Sequence, residues 1–416
     1  MSGAVAARRP AEAAPTRAET TTQWAVVVAA VAAASALAFA IGSVGGGRVA
    51  ALFGVGLLLG VALYQAAFGF TSAYRVLLAD GRGAAMRAQL AMLALACVLF
   101  FPALGAGRVF GAPVEGHFGP LGPPLLAGAL MFGAGMQLGG GCASGTLFAV
   151  GGGSARMVLT LAFFVLGSVL GVAHMPWWAA LPSLAPVSLV HRFGWPLALA
   201  GNLLVFALLW RVVVAIEKRR HGGLAPIAGS GRLLRGPWPL LAGAVALAVL
   251  NFATLVLSGR PWGITSAFGL WGAKLLRLGG VDVGVWGGWA QPAQQAALAR
   301  PVLGDVASAM DFGILLGALL AAGLAGRFAP WRPIPARQAV ASVLGGLLMG
   351  YGARLATGCN IGAFFGGVAS GSLHGWVWIA WGRPPSALRA HSATVRGPIA
   401  TTLPRKEERG SPCSST

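Results

Sequence analysis

Hydrophobic positions in this chain fall in long unbroken runs, not in the alternation of a half-buried strand or the stripe of a surface helix. Such runs occupy 24–43, 49–68, 85–105, 155–173, 195–216, 237–258 and 308–326. A hydrocarbon slab needs about 20 residues of helix to cross it, and a helix that is apolar all round is one buried in protein or lipid. The pattern therefore predicts an all-α polytopic membrane protein with about nine transmembrane helices and some short half-helices. The expected organisation is a basic tail at 1–23, a first membrane half at 24–216, a basic cytoplasmic loop at 217–236, a second membrane half at 237–382 and a basic tail at 383–416.

Composition sharpens this. Of 416 residues, 56% are hydrophobic and 10% charged, against about a quarter charged in an ordinary soluble domain. The net charge of +20 does not point to nucleic acid, because Lys and Arg concentrate in tails and connections, where they set membrane orientation. Arg8, Arg9 and Arg17 precede the first run, five basic residues lie from Lys218 to Arg235, and six lie from Arg383 onward. These segments are expected to face the cytoplasm of a bacterial cell, across its inner membrane. Ala38-Phe39-Ala40 resembles a signal-peptide cleavage site, but the leader is long and the run is of spanning length, so an uncleaved first helix is expected. Cysteines at 97, 142, 359 and 413 have neither CxxC spacing nor paired histidines, so no metal site, cofactor or disulfide framework is expected.

Two motifs occur twice, and internal repetition shapes every later inference. Gly69-Phe70-Thr71-Ser72-Ala73-Tyr74 returns as Gly263-Ile264-Thr265-Ser266-Ala267-Phe268, each time just after an apolar run. Gly133, Gly135, Leu138, Gly141, Cys142, Gly145 and Phe148 return at one constant offset as Gly350, Gly352, Leu355, Gly358, Cys359, Gly362 and Phe365. With the basic loop cytoplasmic, the two copies of the first motif fall on opposite faces. That is an inverted pseudo-two-fold repeat, in which broken helices meet near the midplane. The stretch 122–154 then either crosses as two half-helices broken at Gly139 to Ser144 or re-enters. Non-helical backbone at that depth requires protein or a wet cavity around it, and the helix that follows aims its positive end at the gap.

The candidate lining is suited to an anion. Asp311, close to a helix start, is the sole acidic candidate in the spans, and Glu217, Asp282 and Asp305 fall in connections. Cation binding or a carboxylate relay would need more than this. The broken segments instead offer Cys142, Ser144 and Gly141 in the first half and Cys359, Gly358, Asn360 and Arg354 in the second. A thiol is soft and polarisable, matching sulfur substrates; the competing reading is a small apolar residue in a crowded turn. Arg354 either meets the anion or ties down loop carbonyls, and Gln137 holds the aligned place in the first half. Thr71, Ser72, Thr265 and Ser266 either donate to the permeating anion or cap the helices they begin. Cys97 and Cys413 lack glycine company and are expected to be inert, and His174, His191 and His374 to serve packing or interface anchoring.

These residues carry a resemblance. Phe68 to Arg75, Gly139 to Gly145, Pro261 to Ala267 and Gly352 to Gly362 are similar to the conserved segments of the YeeE/YedE family of sulfur-transport membrane proteins, over roughly residues 50 to 382. The resemblance implies uptake of thiosulfate through an hourglass-shaped helical protein in which cysteines, here Cys142 and Cys359, relay the ion by S–H to sulfur hydrogen bonds. It implies no catalysis. The family's characterised transporters carry a further cysteine in the first conserved loop, near Gly69 here, where Phe68 and Phe70 are the neighbours. Some relatives act beside a soluble sulfur carrier, which for this chain would be a separate cytoplasmic partner. The alternative function is a membrane sulfurtransferase that passes sulfane sulfur inward as a cysteine persulfide.

Overall fold

The computed structural model of the protein describes residues 21–229, 231–329 and 333–382. Most of both expected tails, and Cys413 with them, lie outside this range. The first half contains α1 (Trp24–Ala66), α2 (Phe70–Asp80), α3 (Ala84–Ala106), α4 (Pro123–Gly139), α5 (Ala143–Gly151), α6 (Ala155–Ala173), the short α7 (Met175–Ala179) and α8 (Leu189–Phe193), and α9 (Trp195–His221). The second contains α10 (Leu240–Ser258), α11 (Thr265–Leu278), α12 (Pro292–Ala299), α13 (Val306–Leu324), α14 (Ala336–Leu355), a π-helical turn at Asn360–Gly366, α15 (Gly367–Ala369) and α16 (Leu373–Trp381). Among the described residues the only strands are a two-residue pair, Arg108–Val109 with Ala112–Pro113.

Among the described residues, eight helical stretches are long and apolar enough to cross a membrane. The first supplies two passages, because α1 reverses at Gly46 (φ 78°, ψ 174°). A β-carbon on Gly42 would stand 3.8 Å from that of Ala50, whereas eight residues of straight helix span about 12 Å. The runs 24–43 and 49–68 are thus the two arms of a hairpin, as their separation in sequence predicts.

The halves are inverted relative to one another. The second arm of α1 and α10 each lead into a copy of the Gly-x-Thr-Ser motif, and they pack antiparallel. At one end Trp238 N–H donates to Gln65 O at 2.8 Å and Gly243 faces Ala66; at the other Arg48 Nε donates to Leu257 O. The packing is also exchanged: α13 of the second half seats on α1, and α3 of the first seats on α10. Likewise α13 touches α5 while α3 touches α15. In the α1–α13 seam Gly56 and Gly60 meet the backbone of Met310 and Ile314, and Gly313 and Gly317 meet that of Phe53 and Leu57. Small residues permit this approach, which dispersion between closely packed backbones then rewards.

Glu217, expected in a connection, instead lies in α9 just before its last turn and is fully buried. It pairs with Arg87 at 3.0 Å and accepts from Ala225 N–H at 3.1 Å, so one buried ion pair pins α3, α9 and the start of the basic loop together. The helix accordingly runs to His221, past the expected boundary at 217.

Candidate functional site: two matched Gly-Cys breaks

Each Gly-Cys segment ends one helix and begins another. Gly140, with φ 88°, closes α4 in the left-handed region, and Cys142 then caps α5 with extended backbone, φ −85° and ψ −172°. In the second half Cys359 has φ −100° and ψ −165° and precedes the turn at Asn360–Gly366. The duplicated sequence has produced the same extended backbone at both cysteines. Both segments are broken helices, and the amides of α5 and of the Asn360–Gly366 turn start at the thiols.

Both cysteines are buried. Cys142 Sγ lies 3.4 Å from Ser144 Oγ, and the Cys142 carbonyl accepts from Thr146 Oγ1 at 2.9 Å. Cys359 Sγ accepts from Ile361 N–H at 3.4 Å, which leaves its S–H to donate elsewhere. The turn at Asn360–Gly366 touches α5, and the two thiols lie within electrostatic reach of each other. Asn360 Oδ1, Arg354 Nε and Thr357 Oγ1 are buried without a partner among the described residues. Polar atoms so placed are uncommon in a folded interior.

The glycines that precede the cysteines differ in how firmly they are required. A β-carbon on Gly358 (φ 150°) would fall 2.7 Å from Ala363 N, whereas one on Gly141 would be 3.5 Å from Gly145 C. The position equivalent to Gly140 is Thr357, which adopts φ 60° despite its branched β-carbon. That conformation is an outlier for such a residue and costs on the order of 1–3 kcal/mol. It is held from outside: His117 Nε2–H donates to Thr357 O at 2.9 Å, and His117 N–H donates to Ser370 Oγ at 2.8 Å. Burial, helped by the charges of Arg260 and Arg354, outweighs the Thr357 hydrogen bond and holds the His117 imidazole below its usual pKa. It is therefore neutral at pH 7. Thr357→Gly is expected to raise the thermal unfolding temperature in detergent by the equivalent of about 1 kcal/mol, and Gly140→Thr to lower it by as much.

Arg354 donates through Nη2 to Thr265 Oγ1 at 2.9 Å, joining the second copy of the Thr-Ser motif to the second break. None of these residues occupies an N-cap position: α2 and α11 follow Gly69 and Ile264, neither of which supplies a side-chain cap. Ser72 Oγ donates to Gly69 O at 2.8 Å, Thr71 lies in the first turn of α2, and Ser266 is exposed. Both motif copies border the second break: Arg354 holds Thr265, and Phe70, beside Thr71, packs on Phe365 with 6.3 Å between ring centroids.

Two contributors, Arg156 and His117, went unnoticed in the sequence. Arg156 Nη2 donates to Leu138 O at 2.9 Å and its Nε to Ser342 Oγ at 3.2 Å, placing a guanidinium over Gly140 where Gln137 had seemed the only counterpart of Arg354. A basic residue just after Gly151-Gly152-Gly153 at the head of an apolar helix was the available signal. His117 gave no local signal, being 240 positions from its acceptor. Of the two roles expected for His374, packing fits: it is fully buried, its Nδ1 accepts from Gly119 N–H at 3.1 Å and lies 2.6 Å from Ser372 Oγ. Cys97 Sγ lies 3.6 Å from Val368 O, behind the second break.

The Sulphur transport family matches residues 65–381. Among curated proteins the chain is similar to the thiosulfate transporter TsuA of Spirochaeta thermophila, 29% identical over 345 residues that cover 78% of this chain and 92% of that protein. It is also similar to TsuA of Escherichia coli, 26% identical over 82% of this chain and 97% of that one. Probable transporter YedE of Escherichia coli is 32% identical over a shorter stretch, 33% of this chain and 34% of that protein. With the inverted helical halves and the paired breaks, this match makes the chain a multi-pass membrane protein that belongs to the Sulphur transport family.

Proposed function

We propose that the protein takes thiosulfate, or a closely related inorganic sulfur anion, inward across the bacterial inner membrane, and that Cys142 and Cys359 relay it. The observation that carries this reading is the pair of buried thiols in matching backbone conformations, each at the head of a helix inside a broken span. An anion stripped of water needs donors, and here the first amides after each break, the S–H groups, Ser144 and Arg354 provide them. Gly141 and Gly358 keep the approach to the thiols open, and Asn360 borders Cys359. The soft terminal sulfur of thiosulfate suits the thiols, while its oxygens suit the guanidinium and amides. Thr71, Ser72, Thr265 and Ser266 add hydroxyls along the same route. A soluble sulfur-carrier protein belongs to this reading as a separate cytoplasmic partner. Names of the relatives, two of them thiosulfate transporters, support the choice of anion.

Purified protein in lipid vesicles, offered thiosulfate labelled on one sulfur or the other, tests the proposal. Both labels are expected inside in equal amounts. Entry of the outer sulfur alone would mean persulfide transfer through a cysteine, and entry of neither would remove the transport reading.

A further inference from the structure

Asp311 is the acidic side chain most completely enclosed in the second membrane half. It lies within α13, past the cap at Asp305, and is 0% exposed. Among the described residues neither of its carboxylate oxygens has a hydrogen-bond partner, and neither ion pair involves it. Its neighbours Met310 and Ile314 press their backbones on Gly56 and Gly60 of α1. Asp311 itself lies one turn before Leu315, whose carbonyl packs on Gly151 at the end of α5, so it shares the helix face turned to the first broken span. It also stands within electrostatic reach of Cys359.

We propose that Asp311 is a proton-binding site that couples passage of the anion to proton movement in the same direction. The inference rests on the reading that the two thiols line an anion path. A bare carboxylate, enclosed and unpaired, is costly in a low-dielectric interior, and beside an anion path it repels the substrate. The neutral acid does neither, and its O–H is a further donor. The step is a simple protonation: the carboxylate takes a proton from the outer side, the anion passes the neutral acid, and the proton leaves to the cytoplasm.

The groups that could offer Asp311 a different balance are occupied or distant. On the elements packed against α13, the charged or titratable side chains are Arg48 and Tyr64 on α1, Cys142 at the head of α5, and Lys274 and Arg277 on α11. Asp305 caps α13 itself. Arg48 donates to Leu257 O, Lys274 donates to the carbonyls of Leu298 and Arg300, Tyr64 borders Gly152, and Arg277 is exposed. Asp305 accepts from Ser308 N–H at 2.8 Å and Ser308 Oγ at 2.7 Å.

Vesicles containing a pH-sensitive dye, with labelled thiosulfate outside, measure both fluxes at once. Wild-type protein is expected to admit protons in fixed proportion to thiosulfate and to speed up at least tenfold when the outside is made acidic. Thiosulfate entering through the Asp311→Asn variant should carry no proton and should ignore the pH gradient. Asp311→Glu, which restores an ionisable group and guards against a folding defect, should restore proton entry. Proton-to-thiosulfate ratios equal in wild type and Asp311→Asn, or a wild type that moves thiosulfate without protons, would overturn the proposal. A wild type that takes up no thiosulfate under any gradient would instead remove the transport reading, and this inference with it.

Discussion

Vesicles carrying Cys142→Ala or Cys359→Ala are expected to take up thiosulfate at least about tenfold more slowly than wild type. The change removes one sulfur from each break and disturbs little else. Each thiol contacts its own turn: Cys142 Sγ lies beside Ser144 Oγ, and Cys359 Sγ accepts from Ile361 N–H. The lost interaction is one hydrogen bond to a charged ligand, about 1.5–3 kcal/mol. Carried into the barrier, that is about tenfold to hundredfold in rate. Cys97→Ser is the control, since its sulfur faces the Val368 carbonyl behind the break, and uptake should stay within about twofold. Unchanged uptake in both alanine variants would remove the relay.

Gly317→Val is expected to prevent accumulation of well-folded protein altogether. A β-carbon there would stand 2.0 Å from Leu57 O and 2.8 Å from Leu57 C. These are backbone atoms, which cannot swing aside as a side-chain tip can. Overpacking a well-filled interior costs about 1–3 kcal/mol where neighbours can adjust, and here the helices must separate, taking the reciprocal contacts of Gly56, Gly60 and Gly313 with them. Gly54→Ala on the same hairpin, where the added carbon meets nothing within 4 Å, should leave the unfolding temperature unchanged or raise it slightly. Size-exclusion profiles in detergent and thermal unfolding separate the two. A monodisperse Gly317→Val protein with wild-type stability would show that the seam is looser than its geometry implies.

Much of this architecture was legible because membrane spans are written in one dimension. A run such as 49–68 needs no partner to be recognised, and the inverted order followed from where Lys and Arg fall between Lys218 and Arg235. The Gly-Cys breaks were legible because they occur twice, and duplication exposes residues that composition would hide among 64 glycines. What escaped depends on contacts between distant segments. Glu217 looks like the start of a loop until Arg87 is found opposite it, 130 positions away. Thr357 looks like an ordinary hydroxyl until its backbone is seen in the conformation that Gly140 takes freely. Asp311 could be placed in a span, but that its oxygens have no hydrogen-bond partner among the described residues depends on how several helices pack. The expectation of N-terminal caps from Thr265 failed for a related reason: Arg354, 89 positions on, claims that hydroxyl.

The exchanged seam between α1 and α13 bears on how the protein is made. The glycine face of the first hairpin is completed by a helix that leaves the ribosome some 250 residues later, roughly ten seconds or more at ordinary rates of synthesis. Until then α1 sits in lipid with its intended groove unfilled. Neither half is a self-sufficient folding unit, so maturation waits for the last helices to insert. The duplication that built the molecule has become irreversible: each half now keeps its neighbour's helix as part of its own interior.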